Sequence, residues 1–185
     1  MDILALFLFD PVVTRVFAAT LSIILLVGGW QKLREPEVFA AAIENYRVLP
    51  EMLVHPFARL LPVLELVAGI TLLFPASCEW GGLIAAAVML AVTGAVVINL
   101  WRGQREIDCG CGGMSSQPLS WALVARNAVL LLLTWPASQQ GASRSLFVGD
   151  YVTLVGGVLA LVGLYVAVNQ LMTNAPYRIR LAHRH

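Results

Sequence analysis

Long apolar stretches alternate with short polar ones along this chain, and the apolar stretches are of bilayer length. A hydrocarbon core is crossed by about 20 apolar residues. Such stretches run at about 12–33, 57–76, 80–101 and 151–172, with a shorter one at about 119–135. Five spanning helices are predicted. Residues 1–11 are apolar but interrupted by Asp2, Asp10 and Pro11 and lack the positive start of a secretory signal, so no cleavage is expected. Residues 34–55 are a connector in which Pro36 suits the first turn of a helix. After it, Val38, Phe39, Ala42, Ile43 and Tyr46 share one face while Glu37, Glu44 and Arg47 fall elsewhere, the pattern of a short helix lying in the membrane interface. Pro62 is expected to kink the second span near its start. The turn Ser77-Cys78-Glu79 is so short that the second and third spans should be antiparallel neighbours. In the fifth span, Gly156, Ala160, Gly163 and Ala167 form a small-residue stripe that lets another helix approach closely.

Composition agrees with the pattern. Apolar residues make up 59% of the 185 and charged ones 12%, with a mean hydropathy of +0.80, which excludes an ordinary soluble domain. A net charge of +1 without a basic tract gives no footprint for nucleic acid. No P-loop, Rossmann-type fingerprint, internal repeat or long linker is present. The expected architecture is all-α: one polytopic integral membrane domain over 1–185, in contact with the lipid bilayer. All five tryptophans (Trp30, Trp80, Trp101, Trp121 and Trp135) fall near a predicted span end, where amphipathic rings favour the lipid–water boundary.

Five spans place the N-terminus on one side with residues 77–79 and 136–150. The connector 34–55, the loop 102–118 and the C-terminal tail go to the other. Of the twelve Lys and Arg, Arg15 and Arg144 belong to the first side and Arg126 lies within a span. Lys32, Arg34, Arg47, Arg59, Arg102, Arg105, Arg178, Arg180 and Arg184 belong to the second. The positive-inside rule makes that side cytoplasmic and the N-terminus periplasmic.

Two charges lie within the predicted spans. Glu65 is about eight residues into the second span and Arg126 about seven into the fourth, roughly 10–12 Å deep from the same side. Each alone is costly in hydrocarbon, so such residues face the bundle and pair, and Glu65 and Arg126 are predicted to lie within salt-bridge or one-water distance of each other. Asn99, Asn127, Gln31 and Lys32 lie toward the same side. The set reads either as an ion pair that fixes helix register or as a polar cavity that tunes thiols, relays protons or receives a small partner.

That cluster underlies the loop 102–118, which contains Asp108-Cys109-Gly110-Cys111-Gly112-Gly113. An extended i, i+2 pair sits at or beyond the Cα separation a disulfide tolerates, about 4.4–6.8 Å, so the chain must turn between the sulfurs. Gly110 turns either way at little steric cost. Small strained rings tend to be labile rather than structural, and the residues favour a redox dithiol. A static disulfide closing so small a loop removes little entropy. A soft-metal clip, for example for Cu(I), suits thiolates. Zinc fits less well because it usually wants four ligands; Cys78 is the only other cysteine, and His55, His183 and His185 are far away in sequence. Arg102 and Arg105 favour the thiolate at Cys109 while Asp108 opposes it. Cys78 lies toward the other side and is read as packing.

Several of these stretches carry a resemblance. Gly29-Trp30-Gln31-Lys32-Leu33, Pro36 through Tyr46, Leu49-Pro50 and Leu64-Glu65-Leu66 are similar to the DoxX-like membrane proteins. Asn99-Leu100-Trp101-Arg102-Gly103, the Asp108–Gly112 stretch and Arg126-Asn127 resemble the methylamine-utilisation branch of that group, the MauE family. The resemblance covers about residues 15–135. It departs at Gly112-Gly113, where a bulky residue is expected before the second glycine. It implies a four-helix core with an added C-terminal helix, in a bacterial inner membrane. It further implies a role in maturing methylamine dehydrogenase, whose small subunit is rich in disulfides, together with a thioredoxin-like, MauD-like partner in the periplasm. The charge count and this implication disagree, since direct exchange with that partner needs Cys109 and Cys111 outside. A miscounted span, a loop that dips into the membrane, or electron transfer across the bilayer would each reconcile them.

The leading expectation is thiol–disulfide exchange, with Cys109 and Cys111 as attacking and resolving thiols in an order the sequence does not rank. Glu65, Arg126, Asn127, Asn99, Lys32, Arg102 and Arg105 are the candidates for tuning the pair or lining a polar cavity. No cofactor is fixed by the residues, and a quinone stays open. Two other classes compete: a non-enzymatic scaffold for enzyme assembly, and a metal or small-solute membrane protein using the dithiol as ligand.

Overall fold

The computed structural model describes residues 10–104, 119–139 and 147–182, with side chains as far as Asn174. Arg105, Asp108, Cys109 and Cys111 lie outside the described residues. Six helices follow in order: α1 Pro11–Arg34, α2 Pro36–Tyr46, α3 Glu51–Leu73, α4 Cys78–Trp101, α5 Trp121–Ala137 and α6 Val148–Ala182. No strand occurs among the described residues. Backbone groups in hydrocarbon must be satisfied within their own segment, which makes a helix of every long apolar stretch. Four helices (α1, α3, α4 and α6) are long and apolar enough to cross a membrane. The molecule is a multi-pass membrane helix bundle.

Local chemistry sets the ends. Asp10 caps α1 by accepting from the Val12 N–H at 2.8 Å, with Pro11 in the first turn. Pro36 likewise opens α2, which ends at Arg47 in the left-handed region (φ 49°). Helix α3 begins six residues ahead of the expected span and runs through both Pro56 and Pro62. The turn before α4 is Phe74–Ser77, so Cys78 starts the helix instead of making the turn.

Helices α1, α3, α4 and α5 close into a ring: α1 packs on α3, α3 on α4, α4 on α5 and α5 on α1. Their shared core draws Leu21 and Leu25 from α1, Ala68 and Leu72 from α3, Ala85 from α4, and Leu130 and Ala137 from α5. Between membrane helices the driving force is close packing and hydrogen bonding, and small residues supply it. The Ser22 hydroxyl donates to the Gly69 carbonyl at 2.6 Å across the α1–α3 contact. A Cβ on Gly29 would lie 2.9 Å from the Pro62 carbonyl oxygen, so glycine there lets α1 reach α3. The outer faces carry exposed Val27, Leu60, Leu83 and Leu132, suited to lipid.

Helix α5 has 17 residues, about 25 Å of helix. It nonetheless runs the length of α4. Leu119 and Leu123 pack on Val96 and Leu100 at one end, and Ser138 meets Gly82 and Cys78 at the other. Helix α6 leans on α1 outside the ring, with Val158 buried and Gly157 against Val16. Its small-residue stripe packs on nothing among the described residues. Gly156, Ala160, Gly163 and Ala167 are all exposed, and nothing lies near Gly156 or Gly163.

Helix α2 packs mainly on α3, burying Phe39, Ala40, Ala42 and Tyr46. The expected face is off by one position: Val38 is exposed and Ala40 takes its place, because the helix docks on protein and its apolar face is matched to α3. The tryptophans sit where expected. All five are exposed and lie within the first or last turns of α1, α4 and α5.

Candidate functional site

The polar residues singled out within the spans converge at one end of the ring, where α1, α4 and the loop after α4 terminate. Lys32, in the last turn of α1, donates from Nζ to Glu65 Oε1 at 2.5 Å. Both side chains are buried, and the ammonium also lies 5.3 Å from the centre of the Phe39 ring. The other carboxylate oxygen, Glu65 Oε2, is buried without a hydrogen-bond partner. Close approach of α1 at Gly29 fixes this geometry, since a Cβ there would come within 3.2 Å of Glu65 Cβ.

Of the two expected arrangements of Glu65 and Arg126, the direct salt bridge is not formed, although both line one cavity. Arg126 donates to Asn169 Oδ1 at 2.7 Å and to Asn127 Oδ1 at 3.0 and 3.3 Å, and its guanidinium lies 5.6 Å from the Tyr165 ring centre. Lys32 is the cation that reaches Glu65. Matching depth was the right signal for sharing a cavity and the wrong one for pairing. Glu65, Lys32, Arg126, Asn127 and Tyr165 all line one cavity of about 60 Å³ between α1, α3, α4, α5 and α6. A volume of that size holds a few water molecules.

Tyr165 and Asn169 are the residues that sequence reading missed. They stand four apart on α6, hence on one face of a helix, and a polar pair at that spacing in an apolar span was the available signal. Asn99 is fully buried in α4, with Nδ2 donating to the Ala95 carbonyl at 2.9 Å and Oδ1 unpartnered. It does not line the cavity. Arg102 caps α4 at the surface, and its Nη1 donates to the Arg47 carbonyl at 3.2 Å. Arg105, Cys109 and Cys111 fall outside the described residues, so their placement relative to the cavity is not part of this geometry.

The described residues that flank the cysteine-bearing segment, Gln104 and Leu119, lie at the same end of the ring as this cluster. Gly103 (φ 76°) turns the chain out of α4, and the Gln104 N–H bonds the Asn99 carbonyl at 3.0 Å. Gln104 Oε1 is buried without a partner, and Leu119, at the far end of the segment, is 2% exposed. Cys78 lies at the opposite end of α4, buried, its thiol facing the carbonyls of Pro75 and Ser138 at 3.2 and 3.5 Å. Helix packing is a sufficient role for it.

The family model described as methylamine utilisation protein MauE matches residues 10–138. This chain belongs to the MauE family. It is 42% identical over 125 residues to methylamine utilization protein MauE of Methylorubrum extorquens, covering 66% of this chain and 67% of the relative. It is 36% identical over 129 residues to the protein of that name from Paracoccus denitrificans, covering 69% of each. To that of Paracoccus versutus it is 35% identical over 160 residues, covering 82% of this chain and 84% of the relative. No solved structure shows a significant match. The family model spans α1 to α5, and the match to the Paracoccus versutus protein covers more of the chain than that stretch.

Proposed function

We propose that this MauE family protein is a membrane accessory factor for maturing the small subunit of methylamine dehydrogenase, acting by thiol–disulfide exchange through Cys109 and Cys111. A thiolate of one partner attacks a disulfide sulfur of the other, the displaced sulfur leaves as thiolate, and the mixed disulfide is resolved by the remaining cysteine. The balance closes within the pair of proteins: one dithiol becomes a disulfide as the other disulfide becomes a dithiol. Two electrons and two protons move between them. A thioredoxin-like protein is the exchange partner.

One observation carries this reading furthest. Both ends of the segment bearing the two thiols are rooted at the end of the bundle that holds the buried Lys32–Glu65 pair and Arg126. Membrane-embedded charge is expensive and marks function by default. Here Glu65 keeps one oxygen without a partner among the described residues, in a cavity able to hold water. The family's tie to methylamine utilisation supplies the setting.

The test is a Cys109→Ser/Cys111→Ser chain in a methylamine-using host. It should reach the membrane in normal amount yet leave the dehydrogenase small subunit unstable or missing. Normal dehydrogenase levels would remove the redox role and leave a scaffold that binds its partners without thiol chemistry.

A further inference from the structure

A second cavity, about 140 Å³ and partly open, lies between α2 and the α3–α4 pair. Its walls are apolar: Phe39 and Ile43 from α2, Leu49 from the connector, Phe57 and Leu61 from α3, and Ala95 from α4. Its mouth is basic. Arg47 follows the cavity-lining Tyr46 directly. Arg102 stands seven residues beyond Ala95 and eleven beyond Ala91, which is the same face of α4 at about 3.6 residues per turn. Arg102 Nη1 donates to the Arg47 carbonyl at 3.2 Å, so the Arg102 guanidinium lies at the backbone of Arg47, itself exposed, between the cavity-lining Tyr46 and Val48. Among the described residues neither has a carboxylate partner. Arg47 also occupies a left-handed backbone position (φ 49°) closing α2, where glycine or asparagine is the usual residue. Two like charges gathered without a counter-ion repel, and an anion between them would relieve that repulsion. Exposed Trp101, next to Arg102, marks the headgroup level, with Ala95 and Ala91 below it toward the hydrocarbon.

We propose that this groove binds an anionic phospholipid, its acyl chain between α2 and α4 and its phosphate at Arg47 and Arg102. An apolar slot with two exposed arginines at its rim matches a phospholipid in both parts. A free phosphate leaves the slot unfilled, and a neutral amphiphile such as a quinone leaves the charges unmatched. Bound lipid would hold α2 against α3 beside the start of the cysteine-bearing segment.

The full-length protein is reconstituted into vesicles of equal phosphatidylglycerol and phosphatidylcholine with identical chains, and retained lipid is read by native mass spectrometry after release. Phosphatidylglycerol should be retained preferentially. Basic residues near an anionic surface contribute about 1 kcal/mol each, so Arg47→Gln/Arg102→Gln should cut its retention roughly thirtyfold, with Arg47→Lys/Arg102→Lys restoring most of it. Ala91→Phe, at an exposed cavity-lining position, should fill the slot and reduce retention of both lipids. Equal retention of the two lipids by the native chain, or equal retention of an added neutral quinone, overturns the proposal. So does full phosphatidylglycerol retention by Ala91→Phe, which would place the lipid on the surface charge alone.

Discussion

The Lys32 ammonium donates to Glu65 Oε1 at 2.5 Å across the α1–α3 contact, while Arg126, in the same cavity, turns to Asn127 and Asn169. Two cations therefore share a buried space with one carboxylate, and geometry assigns the carboxylate to lysine. Removing one partner of a buried pair costs about 3–5 kcal/mol because the other is left uncompensated. Lys32→Met and Glu65→Gln should each lower the thermal midpoint of the solubilised protein markedly, and the double variant should lose much less than their sum. A larger coupling of Glu65 to Arg126 than to Lys32 in the same cycle would overturn the assignment.

Gly29 sits where α1 meets the Pro62 carbonyl and Glu65 Cβ. Gly29→Ala should force the helices apart and cost about 1–3 kcal/mol, the range for overpacking a tight contact. Gly94 is the control, since nothing lies within 4 Å of a Cβ built there. Thermal unfolding of the two variants side by side decides it, and equal midpoints would contradict the close approach.

The exchange reading makes a chemical prediction separate from loss of function. A single Cys109→Ser or Cys111→Ser chain lacks its resolving thiol and should accumulate a mixed disulfide with a thioredoxin-like protein. Alkylation trapping followed by non-reducing electrophoresis detects it. In the native chain the same trapping should show both oxidised and reduced forms, and a permanently oxidised pair would mean a static disulfide.

The arrangement of charge predicts sidedness. Lys32, Arg34, Arg47 and Arg102 all lie at the end of the ring where the cysteine-bearing segment is rooted, and the positive-inside rule assigns that end to the cytoplasm. In a Cys78→Ser background, a membrane-impermeant thiol reagent applied to intact cells should leave Cys109 and Cys111 unlabelled. Strong labelling from outside would reverse the orientation and favour direct exchange with a periplasmic thioredoxin.

The all-α class, the short helix opened by Pro36 and the tryptophans near helix ends were legible in the sequence. A bilayer leaves backbone groups no partner outside their own helix, so the length of an apolar stretch already decides the element. That Glu65 and Arg126 reach a common level was legible too, since height along a helix is rise per residue. What only the tertiary structure decided is rotation about each helix axis. A span apolar on every side carries no phase in its pattern, so nothing in the sequence shows that Lys32, not Arg126, faces Glu65 Oε1. For the same reason the stripe at Gly156 and Gly163 looked like a packing face, yet it points away from the bundle while Gly157 meets Val16. Tyr165 joined the cavity, and Asn169 met Arg126, because α6 packs on α1. Helix length is a local property of the chain, whereas phase is fixed only when the neighbouring helix is in place.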